Sequence, residues 1–345
     1  MKVEKQYCFT HSTGEDIYLF ALRNVNGTEV KITNYGAIIT SYKINKINIV
    51  LGFENPLDYL AADYLAAYPY FGCEVGRYAN RIKEARFEID GIKYNVAKNR
   101  DNDHLHGGFE GFQQKAWKVL TASGKPNPVL SLEYKSKDGE EGYPGTLSVK
   151  IEFELNNNDE LIISTTAATD KPTAINLTHH DYFNMNGEGR IDTHLVSIPA
   201  SHYLGQDDNL VADGRKLPVD ANCYDFRQQR KINQYWDPTE GYDQTFVIDK
   251  KENDLTLSAE CAGDKTGLRL QVFSTEPAVH FYTGRWIPVL ERNGKKMFGP
   301  FTGLCFETQV HPNAINIPHF PNTVLRPGEK YYRKTIYKIS QSAVK

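Results

Sequence analysis

Sulfur is scarce in this chain and widely scattered. Its 345 residues include five cysteines and three methionines. Cys8, Cys73, Cys223, Cys261 and Cys305 form no CxxC pair and are odd in number. That pattern argues against a disulfide framework and fits reduced thiols in a cytoplasmic protein. An excess of one charge is also missing: 40 Lys and Arg face 43 Asp and Glu, for a formal net charge of −3. Nucleic-acid binders carry a strongly basic face, so no nucleic-acid partner is expected. No run of about 20 apolar residues occurs; the richest stretch, residues 59–73, is broken by Asp63, Pro69 and Gly72. No membrane association is expected. Met1-Lys2-Val3-Glu4-Lys5 lacks the apolar segment of a secretory leader. Nucleotide and metalloprotease signatures are absent too. There is no GxxxxGKS/T loop and no HExxH, and Gly107-Gly108-Phe109-Glu110-Gly111 does not fit a strand-to-helix dinucleotide turn.

What is plentiful is Tyr and Phe, 21 and 17 against three Trp. These residues favour strands, and Tyr suits a polar site because it joins an apolar body to a hydroxyl. Period-two alternation dominates the chain. Leu147, Val149, Ile151, Phe153 and Leu155 alternate with polar residues, and after the Asn156–Asp159 turn Leu161, Ile163 and Thr165 resume the pattern. Leu130, Leu132 and Tyr134 repeat it, as do Leu268, Leu270 and Val272. Asp90-Gly91 between Phe87/Ile89 and Ile92/Tyr94 reads as a tight hairpin. Helical spacing is rare. Leu57, Leu60, Tyr64, Leu65 and Tyr68 suggest one short helix, opened by Asn55 and Pro56 and ended by Pro69. Closely spaced strands without alternating helices point to an all-β, antiparallel sandwich with few short helices.

Two polar clusters stand out against this pattern. His104-Leu105-His106 precedes a glycine pair, and on a strand the two imidazoles would share one face. Metal ligation, local structural bonding and acid–base catalysis all remain open for them. Asn176-Leu177-Thr178-His179-His180-Asp181-Tyr182-Phe183-Asn184 is dense in polar and aromatic groups. Such a block is poor core material, because every buried polar group needs a partner. It suits a site that hydrogen-bonds a polyhydroxylated ligand while a ring stacks on a sugar face. Farther along, Leu304 and Phe306 alternate with Cys305 and Glu307, placing a lone Glu on one strand face, with Cys305 most simply core. The Pro312–Pro321 segment, rich in Pro and Asn, is suited to an ordered loop over a site.

Eight segments in order resemble the aldose 1-epimerase (galactose mutarotase) family across nearly the whole chain. They are Asn34–Ala37, Gly76–Ile82, Leu105–Gly108, Glu141–Gly145, Asn176–Asn184, Gly241–Asp243, Phe281–Gly284, and Glu307–Gln309 running into Leu325–Gly328. The resemblance implies a galactose mutarotase-like supersandwich over residues 1–345 as one domain, acting on a monosaccharide without cofactor or metal, as a monomer or homodimer. It implies that Glu307 is the general base at the C1 hydroxyl and His180 the acid at the ring oxygen, with His106 supporting charge nearby. Arg81 and Asp243 would bind sugar hydroxyls, with Asn80, Tyr182 and His280 extending the set; Phe183, Phe281 and Tyr282 lie in the motifs that would line the site. Glu and His suit reversible proton exchange, with reference pKa values of about 4.3 and 6.5. Nearby carboxylates are expected to raise the His180 pKa. The family pattern usually has Asn, Ser and Gln where this chain has His179, Asp181 and His280. Two rival readings are a glycoside hydrolase using Asp243 and Glu307 as paired carboxylates, and a non-catalytic sugar-binding protein.

Overall fold

A computed structural model of the protein describes residues 1–292 and 294–342. Three antiparallel sheets carry the architecture. A nine-stranded sheet runs in the order 118–123, 129–136, 147–155, 160–169, 331–341, 268–274, 256–262, 195–197 and 230–231. A six-stranded sheet orders 182–183, 304–309, 278–282, 243–247, 202–206 and 212–218. The first 48 residues supply a five-stranded meander. One large apolar cluster joins residues of all three, from Phe20 and Ile32 through Ile151 and Leu270 to Phe281 and Phe306. Among the described residues no helix is long and apolar enough to cross a membrane.

The alternation read from the sequence matches the burial. Leu147, Val149, Ile151, Phe153 and Leu155 are fully buried on strand Leu147–Leu155, while Lys150 between them is exposed. The 86–89/92–95 hairpin turns through Asp90 and Gly91, at φ 54° and 80°. Such positive angles are what the Asp-Gly pair supplies.

The expected single helix is two pieces, a 3₁₀ turn at Pro56–Leu60 and a short α-helix at Ala62–Ala67. Asn55 does cap the first piece, accepting from the Leu57 amide at 3.2 Å. Ala61 then swings to an extended ψ of 139°. Five positions along one continuous helix would set Tyr59 and Tyr64 about 140° apart. The break lets both rings pack edge-on against Phe53, at 5.0 and 5.5 Å.

The Pro312–Pro321 segment does not cover the pocket described below. Asn313 donates to the Arg81 carbonyl at 3.0 Å and accepts from the Lys83 amide at 3.1 Å. The segment braces the strand behind Arg81, because its bonding groups are spent on that backbone.

Several histidines are buried as neutral structural groups. His104 bridges the Ala97 carbonyl at 2.7 Å and the Tyr143 hydroxyl at 2.6 Å. Burial lowers His104 and His194 to about 4 and His311 to about 3. In the unfolded chain they titrate near ~6.5, so below that pH the unfolded state binds more protons and folding weakens. We therefore expect the urea midpoint to fall as the pH is lowered from about 6.5 to 4. A midpoint that stays flat or rises across that interval would contradict the burial of these rings as neutral groups.

Candidate active site

The pocket is built on one face of the six-stranded sheet. Side chains alternate across a strand, so Phe281 and Phe306 enter the core, stacked at 5.3 Å, while His280, Tyr282, Cys305 and Glu307 point the other way. Register aligns Thr245, His280 and Glu307 in a row across three neighbouring strands. Asp243, two residues from Thr245, lies on the same face. The same rule corrects the expectation for Phe183 and Phe281: both face the core, Phe183 against Tyr337 at 5.0 Å, and only Tyr182 and Tyr282 reach the pocket.

Across from this row, a tight turn delivers Arg81 and His106. Strand residues Arg81–Ile82 pair with His104–Leu105, and His106 then breaks away at φ 50°. His104 and His106 therefore do not share a face. The backbones of Asn80 and His106 lock together: the His106 amide donates to the Asn80 carbonyl at 3.1 Å, and the Asn80 amide donates to His106 Nδ1 at 3.2 Å. That second bond makes Nδ1 an acceptor, so a neutral His106 carries its proton on Nε2. Burial, then the nearby His180 and Arg81, hold His106 well below its usual range. Arg81 is 8 % exposed and its guanidinium has no hydrogen-bond partner among the described residues. A buried cation left open in this way is a group awaiting a ligand.

His180 sits between two short strand pairings, 178–179 with 74–75 and 182–183 with 304–305. Its amide donates to the Cys73 carbonyl and its carbonyl accepts from Gly72, both at 2.9 Å. Alternation sends His180 to the pocket and His179 and Asp181 to the opposite side. There His179 Nδ1 lies 2.8 Å from Asp181 Oδ2, beside the buried Glu74–Arg333 ion pair. Burial opposes charge on His179, but the Asp181 charge and hydrogen bond outweigh it and raise the pKa. The two family departures next to His180 thus pair with each other.

In the pocket, His180 Nε2 stands 3.4 Å from Glu307 Oε1, and Glu307 Oε2 is buried without a partner among the described residues. Cys305 is core, as expected, buried in an apolar cluster with Tyr182 and Tyr282, and its Sγ lies 3.5 Å from His180 Nδ1. The expected rise in the His180 pKa is reversed. Burial lowers it, and the Glu307 charge offsets this only in part. His280 Nε2 meets Asp243 Oδ1 at 2.8 Å and its Nδ1 meets Thr245 Oγ1 at 2.8 Å.

Ligating atoms of His106, His180 and Glu307 lie within 4.8 Å of one another. That proximity alone would suit a divalent transition metal. The Asn80 amide argues against it, because it keeps the His106 proton on Nε2 and aims a donor, not a lone pair, inward.

The structure gathers Asn80, Arg81, His106, His180, Tyr182, Asp243, His280 and Glu307 around one cleft of about 630 Å³, part of it open to solvent. Tyr70, Arg100 and Trp286 also line it and escaped the sequence reading. Tyr70 stacks on His180 at 5.8 Å and tilts on His106 at 4.7 Å. The aromatic abundance hinted at such residues, but no spacing singled them out.

Gly107 makes the turn possible. Its φ is 86°, and a Cβ there would lie 1.8 Å from the Gly76 carbonyl oxygen. Gly107→Ala is expected to cost at least ~1–3 kcal/mol of stability, read as a lowered urea midpoint. A midpoint equal to that of the parent protein would show that the turn tolerates a side chain.

Comparison with known proteins agrees with this geometry. The family profile described as aldose 1-epimerase matches residues 18–338. Galactose mutarotase of Mus musculus is 36 % identical over 341 residues, covering 95 % of this chain and 96 % of that protein. Aldose 1-epimerase of Escherichia coli K12 is 29 % identical, covering 94 % and 96 %. The crystal structure of galactose 1-epimerase from Lactobacillus acidophilus superposes with a TM-score of 0.88 at 25 % identity, over 99 % of this chain and all of that one. A buried Glu–His pair facing an unpartnered arginine, on a fold and sequence similar to these enzymes from end to end, identifies the chain as a member of the aldose 1-epimerase family of isomerases.

Proposed function

We propose that this protein interconverts the α and β anomers of free aldohexoses such as galactose and glucose, with Glu307 as base and His180 as acid. The observation that carries this reading is the Glu307–His180 pair, 3.4 Å apart in a cleft that it shares with Arg81, His106, Asp243 and several aromatic rings. Glu307 takes the proton from the C1 hydroxyl as the C1–O5 bond breaks and the C1 carbonyl forms, while His180 gives its proton to O5. The open aldehyde turns about C1–C2. His180 then recovers the proton from the O5 hydroxyl, O5 attacks the other face of C1, and Glu307 returns its proton to O1. Atoms and protons balance with no redox change.

The remaining residues hold the sugar. Arg81, open on its guanidinium, would bind a hydroxyl, and His106 Nε2–H would donate to an oxygen near C1 and O5. Asp243 would accept from sugar hydroxyls, with its pKa held low: burial raises it, but the His280 hydrogen bond together with the His280 and Arg81 charges outweighs that. Asn80 and Tyr182 would complete the wall. A glycoside hydrolase is less well supported, because Asp243 is tied to His280 while Glu307 faces an imidazole. We further place the protein in the cytoplasm and treat it as one domain. Support comes from five unpaired cysteines and from the apolar cluster that spans all three sheets.

Polarimetry of freshly dissolved α-D-galactose or α-D-glucose tests the reading directly. The protein should speed the approach to anomeric equilibrium, and no acceleration on either sugar would overturn the assignment. Glu307→Gln should lower kcat by about 10²–10⁴-fold. Its melting temperature should stay near that of the parent, since Glu307 Oε2 bonds nothing among the described residues. Near-normal turnover would remove Glu307 from the base role.

A further inference from the structure

We propose that His280 is a positioning residue, which clamps the Asp243 carboxylate at the pocket wall and whose charge sets the pH range in which Glu307 and His180 exchange protons. This rests on the acid–base assignment above.

The geometry leaves His280 no nitrogen for the sugar. The residue is 3 % exposed and stands in the middle of the Thr245–His280–Glu307 row. Nε2 lies 2.8 Å from Asp243 Oδ1, and Nδ1 lies 2.8 Å from Thr245 Oγ1. Asp243 is an acceptor only when ionised, so Nε2 keeps its proton. Thr245 is adaptable, since a hydroxyl can accept from Nδ1–H or donate to a bare Nδ1. The ring therefore keeps both bonds whether charged or neutral. Its charge can change while the position of Asp243 does not.

Charged and titratable groups face His280 from every side. Asp243 comes from the strand on one flank and Glu307 from the strand on the other. Arg81, His180 and His106 come from the far wall. Burial pushes His280 toward neutrality, but the Asp243 hydrogen bond and the Glu307 charge outweigh it and raise its proton affinity. A protonated His280 then lies between the two carboxylates, stabilises Asp243 as an anion and weakens the hold of His180 on its proton. Glutamine, usual at this position in the family pattern, can donate to Asp243 but brings no charge.

The sign of the effect follows. Removing the charge lets His180 keep its proton to higher pH. The full-length His280→Gln protein should therefore show a kcat/KM–pH profile for galactose displaced toward alkaline pH by about one unit. A purely structural role would change kcat or KM and leave the limbs of the profile in place. A variant profile that superimposes on the parent profile overturns the proposal. If the variant does not fold, ¹⁵N-histidine NMR of the unmodified protein decides: titration of the His280 ring above pH ~6.5 supports the proposal, and titration at or below ~6.5 overturns it. The NMR result stands apart from catalysis. An inactive parent protein would sink the mutarotase assignment, while an active one with an unshifted variant profile would sink this proposal alone.

Discussion

The site depends on one constraint: a sheet buried on both faces has to serve two environments from alternating positions of the same strands. On 304–309, Leu304 and Phe306 join the large apolar cluster while Cys305 and Glu307 point the other way, Glu307 into the pocket. On 278–282, Val279 and Phe281 do the same opposite His280 and Tyr282. A slip of one residue in either pairing would bury Glu307 among Phe rings and expose Phe306 to the cleft. The apolar packing behind the sheet is thus what fixes the register, and the register is what aligns Thr245, His280 and Glu307.

Burying so many ionisable groups in a small volume is costly unless charges are paired. The protein manages this in two layers. Behind the pocket, Glu74 with Arg333 and His179 with Asp181 form closely bonded opposite pairs. Within the pocket the pairing is deliberately incomplete. Arg81 and one Glu307 oxygen have no partner among the described residues, and the His180–Glu307 contact is long. Those open valences are where a sugar, rich in hydroxyls, would regain hydrogen bonds lost from water.

The electrostatics also revise the simplest picture of His180, the proposed acid. Neighbouring carboxylates alone would make His180 readily protonated, but desolvation is the larger effect and lowers its pKa. Asp181, adjacent in sequence, is spent on His179. An acid that loses its proton easily is also a good donor, which suits a reaction that must pass a proton to a ring oxygen and take it back.

Much of this was legible in the residues. The alternation of Leu147 through Leu155 determined a strand and its buried face, Asp90-Gly91 determined a hairpin, and the ordered motifs brought out Glu307, His180, His106, Arg81 and Asp243. These features are local, because period and turn chemistry act over a few residues. What lay beyond the sequence was everything that depends on partners distant along the chain. Tyr70 and Trp286 reach the pocket only through tertiary packing, and Phe281 leaves it by one step of alternation. The tautomer of His106 is set by the amide of Asn80, 26 residues away. The acidity of His180 is set by burial, which no stretch of sequence carries, because desolvation is a property of the whole fold around a group.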